Sequence, residues 1–170
     1  MSKSYDFLFR LNGSLQLGLG HVFRCRELAY ELKKRGKSSL FIVNTDNEVA
    51  NLLSDFKIIK LPTDYSPDEE KSLFQRVQQE FNIQTTISDL LDYPEYYARL
   101  LKDSETKIVS FHEKNIKDTF SDQIVNYNSF QGSLTLSFQM SNSCLGPKYC
   151  ILPKDLLQKP PITVKPKVER

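Results

Sequence analysis

The chain predicts an α/β fold built on a doubly wound, mostly parallel sheet, and three observations carry that prediction. Short apolar runs alternate with amphipathic stretches of helical spacing along most of the 170 residues. The runs, of which SLFIVN at 39–44 is the clearest, suit strands covered on both faces. The connections are short, and one of them is a glycine-rich turn leading straight from strand to helix, the arrangement in which open sheets hold ligands at their carboxyl edge.

Taken in order, Tyr5 to Leu11 reads as the first strand. The helix after it runs from about Gly20 to Arg35, with Val22, Cys25, Leu28, Ala29 and Leu32 on one face and Gly36 available for a left-handed cap behind Lys33, Lys34 and Arg35. Ser39 to Asn44 is a second strand, Asp46 to Asp55 a brief helix, and Lys57 to Leu61 a third strand. Pro67 opens the next helix with Asp68, Glu69 and Glu70 in its first turn, and Leu73, Val77 and Phe81 share a face. Ile83 to Ile87 is the fourth strand, Tyr93 to Lys102 a helix with Asp92 as a fitting N-cap, and Lys107 to Phe111 the fifth strand. Beyond Phe111 the periodicity weakens: Asp122 to Asn126 reads as a sixth strand, and the polar stretch 129–142 as a loop or a further strand at Leu134 to Phe138. Gly146 and Pro147 mark a turn, and Lys159 to Pro166 reads as an extended tail.

The functional signal is concentrated at Gly18-Leu19-Gly20-His21. Gly18 and Gly20 let backbone approach a ligand, the first N–H groups of the helix point at anything anionic held there, and His21 lies at the cleft with a side chain that exchanges protons near neutral pH. Two known phosphate motifs do not fit. The dinucleotide fingerprint needs a third glycine where Phe23 stands, and a P-loop needs Gly-Lys-Ser or Gly-Lys-Thr where the chain has Gly-His-Val. NAD and ATP chemistry are therefore not expected, nor is any other cofactor.

Arg10-x-Asn12-Gly13, then Gly18-Leu19-Gly20-His21-Val22-Phe23-Arg24-Cys25, then a Leu-Ala-x-x-Leu helix closed by Gly36, resembles the start of the UDP-2,4-diacetamido-2,4,6-trideoxy-β-L-altropyranose hydrolases of pseudaminic acid biosynthesis and their SpsG-type relatives in spore-coat polysaccharide synthesis. Ser88-Asp89, Asp122 to Asn126 and Leu145-Gly146-Pro147-Lys148-Tyr149 extend the resemblance over nearly the whole chain. It departs from the family at Asn12, where Asp is usual, and at Ser110-Phe111-His112-Glu113, where an acidic residue usually ends the strand.

The resemblance implies the Rossmann-like N-terminal half of a GT-B-type two-domain architecture. Residues 1–153 would form that domain, and 154–170 an extended tail or interdomain linker before a second domain that the chain lacks and that would hold most of the nucleotide. It further implies a UDP-sugar as substrate, with His21 the base that activates water for attack at the anomeric carbon as UDP leaves. The alternatives are a GT-B-type glycosyltransferase, in which an acceptor hydroxyl replaces water, and a catalytically inactive domain that binds sugar nucleotide or a partner. The remaining partner implied is a nucleotide-binding second domain, in cis or in trans.

Composition bounds these readings. A formal net charge of +2, with basic residues spread along the chain, gives no electrostatic footprint for nucleic acid. No apolar run approaches the ~20 residues of a membrane span, and MSKSYD lacks the apolar core of a signal peptide, so a cytoplasmic protein is expected. Cys25, Cys144 and Cys150 are odd in number and have no metal-ligand spacing, which suggests buried or half-buried thiols.

The candidate site residues each have a second reading. His21 also fits a helix-start residue with no chemistry. Arg10 and Arg24 fit contacts with anionic substrate on the family pattern, but Arg24 equally fits a helical pair with Glu27 or Glu31. Asn12 stands where the family's Asp would orient the histidine or bind a sugar hydroxyl. Asp89 and Asp92 follow the fourth strand and fit the cleft, without a third ligand that would make a metal site. His112 and Glu113 form a secondary pair or a surface charge cluster at the end of the fifth strand.

Overall fold

The computed structural model describes residues 3–14, 18–44, 47–62, 64–113, 120–128 and 143–160. Seven parallel strands form one sheet in the order β3-β2-β1-β4-β5-β6-β7. They are β1 (Lys3–Asn12), β2 (Ser39–Asn44), β3 (Lys57–Leu61), β4 (Phe81–Asp89), β5 (Lys107–Phe111), β6 (Gln123–Asn126) and β7 (Ser143–Leu145). The helices are α1 (Gly20–Lys34), α2 (Asn47–Asn51), α3 (Pro67–Glu80), α4 (Glu95–Lys102) and α5 (Lys154–Leu157). The doubly wound Rossmann-like architecture is thus present, with every described strand pairing parallel.

Strand alternation separates two cores. Leu8, Leu40 and Ile42 pack with Leu73, Phe74, Val77, Tyr97 and Leu101 of α3 and α4. Phe9, Leu11, Phe41 and Val43 pack on the other face with Val22, Cys25 and Ala29 of α1. α1 lies close to its strand because residue 13 is glycine: a Cβ there would sit 2.3 Å from Cγ2 of Val22. The close helix–strand approach that a dinucleotide fingerprint obtains from its third glycine is provided here by Gly13. The helix ends in a Schellman motif, in which Gly36 (φ 73°) donates to the carbonyl of Lys33 and Lys37 donates to that of Leu32.

Several boundaries differ from those read in the sequence. The helix expected over 46–55 covers only Asn47–Asn51 and continues as turns to Asp55, and α4 starts at Glu95 with Pro94, not Asp92, as its N-cap residue and no side-chain hydrogen bond from it. α3 is capped by Ser66, which the acidic first turn had obscured. Ser66 Oγ accepts from the amide of Glu69 at 3.3 Å, and Glu69 Oε2 accepts from the amide of Ser66 at 2.7 Å. Strand β7 was not expected, because Ser-Cys-Leu offers no alternation to read. The strand considered at 134–138 lies outside the described residues. So does the extended tail from 161 onward, and before it Lys154–Leu157 makes one helical turn.

From β1 the chain winds outward through β2 and β3, then returns to β4 on the opposite side of β1. The crossovers therefore diverge above the carboxyl ends of β1 and β4. In open α/β sheets this switch point is where the crevice forms and ligands bind.

Candidate functional site

The glycine-rich turn and the end of β4 meet at that switch point. Gly18 donates its amide to the carbonyl of Ser14 at 2.9 Å and has a φ of 93°, a conformation that residues with side chains rarely adopt. The chain then enters α1 through Leu19, which gives no side-chain cap, and no acidic residue occupies the first turn. The first amides of α1 therefore remain available at the crevice. Gly20 has open space where a Cβ would be, so nothing in the protein itself requires glycine there.

His21, Arg24 and Cys25 project from α1 onto Asp89, which lies opposite Leu11 in the sheet register and faces the same side. Asp89 has no solvent exposure. Its Oδ1 is 2.8 Å from Nδ1 of His21 and 2.6 Å from Nη2 of Arg24, while Oδ2 accepts from Arg24 Nε at 2.7 Å and from the Cys25 thiol at 3.4 Å. The Arg24–Asp89 contact is a bidentate ion pair, the strong geometry for this combination. Burial, the largest single influence, pushes the Asp89 carboxyl up, but the hydrogen bonds from His21 and Arg24 and the guanidinium charge outweigh it and hold the group below the usual carboxylate range. The same balance raises Arg24: burial works against its charge, and Asp89 more than compensates. Burial pushes the Cys25 thiol well up, so Cys25 packs as an inert group.

An ionised Asp89 fixes the histidine tautomer. An oxygen that can only accept lies 2.8 Å from Nδ1, so Nδ1 carries the hydrogen and the lone pair is on Nε2. Arg24 Nη2 is 3.0 Å from the same ring nitrogen, but it has only donors and its hydrogens go to carboxylates. His21 is thus held by its rear nitrogen with its basic nitrogen free of that contact, the orientation a carboxylate gives a catalytic imidazole.

Around this core, Arg24 Nη1 reaches Glu113 Oε1 at 3.2 Å and also bonds the Tyr127 hydroxyl. Its guanidinium lies between the rings of Phe111 and Tyr127, 5.2 and 5.0 Å from their centroids. Burial pushes the Tyr127 phenol up to about 12, so it stays a neutral donor to Glu113. A shallow cavity of about 210 Å³ opens beside these groups, lined by Gly20, Phe23, Arg24, Glu113, Tyr127 and Ile151 among others. Larger hollows lie along α3 and α4, one of them beside the carboxyl end of β3 at Leu61, and neither they nor the smaller cavity are lined by His21 or Asp89.

The structure brings His21, Arg24, Asp89 and Glu113 together, and it changes several pairings. Arg24 does not pair with Glu27 or Glu31; those carboxylates bind Arg26 and Lys34. The carboxylate behind His21 comes from Asp89, not from position 12, so asparagine at that position leaves the histidine oriented. Asn12 Oδ1 instead accepts from Arg10 at 2.6 Å. Arg10 itself lies wholly inside the protein, bonded to Glu70 at 2.6 Å, to the Leu11 carbonyl at 2.7 Å and to Tyr65 at 3.1 Å. His112 and Glu113 part company, His112 turning inward to Ser110 at 2.8 Å and the ring of Tyr93 while Glu113 turns to Arg24. Asp92 is exposed. Cys25 is buried and Cys144 half-buried, whereas Cys150 is exposed, contrary to the expectation for a thiol of this chain. Tyr127 was missed. Its only sequence signal is a position just after β6, because its partners lie 103 and 14 residues away.

Among the described residues, no group of three or more His, Cys, Asp and Glu side chains is placed to hold a metal ion, and no helix is long and apolar enough to cross a membrane.

Comparison with known proteins gives the fold a context. No protein-family model matches the chain. It is similar to the uncharacterized protein MJ1062 of Methanocaldococcus jannaschii, 28% identical over 153 residues that span 83% of this chain and 29% of that protein. Its structure resembles crystalline MurG of Acinetobacter baumannii with a TM-score of 0.58 at 10% identity, over 83% of this chain and 45% of that one. At that identity the likeness concerns the fold alone, a Rossmann-like domain of GT-B type. The chain spans under a third of the curated relative and under half of the structural one.

Proposed function

We propose that residues 1–153 act as the first of two domains of a GT-B-type enzyme that takes a UDP-sugar, with His21 as the base that activates an oxygen nucleophile at the anomeric carbon. The observation that carries the reading is the His21–Asp89 pair, 2.8 Å apart at the switch point of the sheet. Nε2 of His21 takes the proton from the nucleophile's hydroxyl. The oxygen forms its bond to the anomeric carbon as the bond to the leaving UDP oxygen breaks, and UDP departs with the electron pair. Asp89 stabilises the imidazolium formed in that step, and positive charge gathering at the sugar ring meets two carboxylates, Asp89 and Glu113, against one guanidinium. A positioned base of this kind contributes about 10²- to 10⁴-fold.

The GT-B-type fold supports an acceptor hydroxyl as the nucleophile, the chemistry of a glycosyltransferase. A second reading, with water as the nucleophile, is favoured by Gly18-x-Gly20-His21-x-x-Arg24-Cys25 and Leu145-Gly146-Pro147-Lys148-Tyr149, the motifs shared with the nucleotide-sugar hydrolases of pseudaminic acid synthesis. The test is UDP release from UDP-sugars by the chain together with its second domain, with and without an added acceptor alcohol. Release that needs the acceptor supports transfer, and release without it supports hydrolysis. Release left intact by His21→Asn would overturn both.

A further inference from the structure

We propose that Asn12 is a specificity residue whose amide is locked by Arg10, so that it offers a hydrogen-bond donor to an accepting oxygen on the glycosyl part of the ligand. The inference rests on the UDP-sugar reading above and adds which polarity that part of the ligand must present. Asn12 ends β1, half-buried at the carboxyl edge of the sheet beside the β4 end that carries Asp89. Arg10 has donors only, so the atom of Asn12 that it bonds must be the oxygen, and the Nδ2 hydrogens face away from Arg10 at the carboxyl edge of the sheet. The lock is rigid. Both hydrogens of Arg10 Nη1 are taken by the Leu11 carbonyl and Asn12, Nε is held by Glu70, Nη2 by Tyr65, and the second oxygen of Glu70 by Tyr96 at 2.8 Å.

A buried ion pair adds little net stability over apolar residues of the same size, and here its hydrogen-bond chain, drawn from β1, α3, α4 and the segment before α3, ends on one amide at the crevice. Aspartate at position 12 would still satisfy Arg10 through one oxygen, but its other oxygen would face the ligand as an acceptor. The substitution therefore reverses the outward polarity while keeping the inward bond.

The experiment uses the ¹⁵N-labelled full chain and follows the Asn12 side-chain NH₂ resonances and the His21 ring during titration with UDP-N-acetylglucosamine and, separately, UDP. The expected result is that the nucleotide sugar shifts both Asn12 and His21, that UDP leaves Asn12 unmoved, and that Asn12→Asp weakens sugar-nucleotide binding at least tenfold with an unchanged melting temperature. Asn12→Asp binding within twofold of wild type, or Asn12 protons that stay fixed while His21 responds, would overturn the inference and leave the function reading standing. Equal Asn12 shifts with UDP alone would overturn the glycosyl assignment. A His21 ring that ignores the nucleotide sugar at millimolar concentration would overturn the function reading, and this inference with it.

Discussion

Asp89 is central both to the proposed chemistry and to the stability of the site. It lies between a histidine it must orient and a buried guanidinium it must neutralise. Asp89→Asn removes one partner of a buried ion pair, which costs about 3 kcal/mol, at the low end of the usual range because Glu113 still faces Arg24. Chemical denaturation should show this loss at neutral pH, and a midpoint equal to wild type would contradict the bidentate pair. The pH dependence has a definite sign. The folded-state pKa of Asp89 is depressed, so its stabilisation is complete above the unfolded carboxylate value of about 3.9 and disappears as pH falls through the lower folded value. Wild type should therefore lose stability below about pH 4 more steeply than Asp89→Asn, in acid titrations followed by circular dichroism. At this scale the sequence was half legible. His21 stood out because glycines flank the start of its helix, but the partner of Arg24 lies 65 residues away and only the sheet order brings them together, so helical spacing pointed to the nearer Glu27 and Glu31.

Elements depend on single contacts that periodicity does not encode. The packing of α1 on β1 rests on the missing side chain of residue 13, whereas Gly20, at the start of α1, has no such constraint. Gly13→Ala should lower stability by about 1–3 kcal/mol through overpacking against Val22, and Gly20→Ala should leave the melting temperature nearly unchanged while weakening ligand binding. A pair of thermal melts separates the two, and a tolerated Gly13→Ala would mean that α1 can shift off the strand. In α3, Ser66→Ala removes the capping-box acceptor and should cost about 1 kcal/mol. The five strands β1 to β5 were readable because each is an apolar run between turns, in a sheet that helices cover on both faces. α4 was read two residues too long because Tyr93 looks like the start of its apolar face, but its hydroxyl in fact sits between the carbonyls of Ser88 and Phe111, 2.8 and 3.0 Å away, and its one hydrogen bridges the ends of β4 and β5.

At the scale of the whole molecule, the charge at the switch point decides which part of a nucleotide sugar the proposed site would suit. At the switch point Arg24 faces two carboxylates, Asp89 and Glu113, and Arg10 is closed off by Glu70, so neither of these two guanidinium groups is left over for a pyrophosphate. The uncapped start of α1 attracts an anion by only about 0.3–1 kcal/mol at an exposed site, too little to hold a doubly charged group against that acidic surround. The parallel, doubly wound class of the sheet followed from strand and helix alternation, whereas the strand order and the charge balance at the crevice could not be read before Asp89 and Glu113 were brought to Arg24. The chain alone should therefore bind UDP with a Kd near or above 1 mM, about −4 kcal/mol or weaker. The affinity should fall little with added salt, because neutralised side chains leave few ionic contacts to screen. Titration calorimetry on the chain at low and high salt is the measurement. A micromolar Kd for UDP would mean that this site recognises the nucleotide directly, and a steep loss of that binding with salt would place the anion on Arg24 with Glu113 displaced.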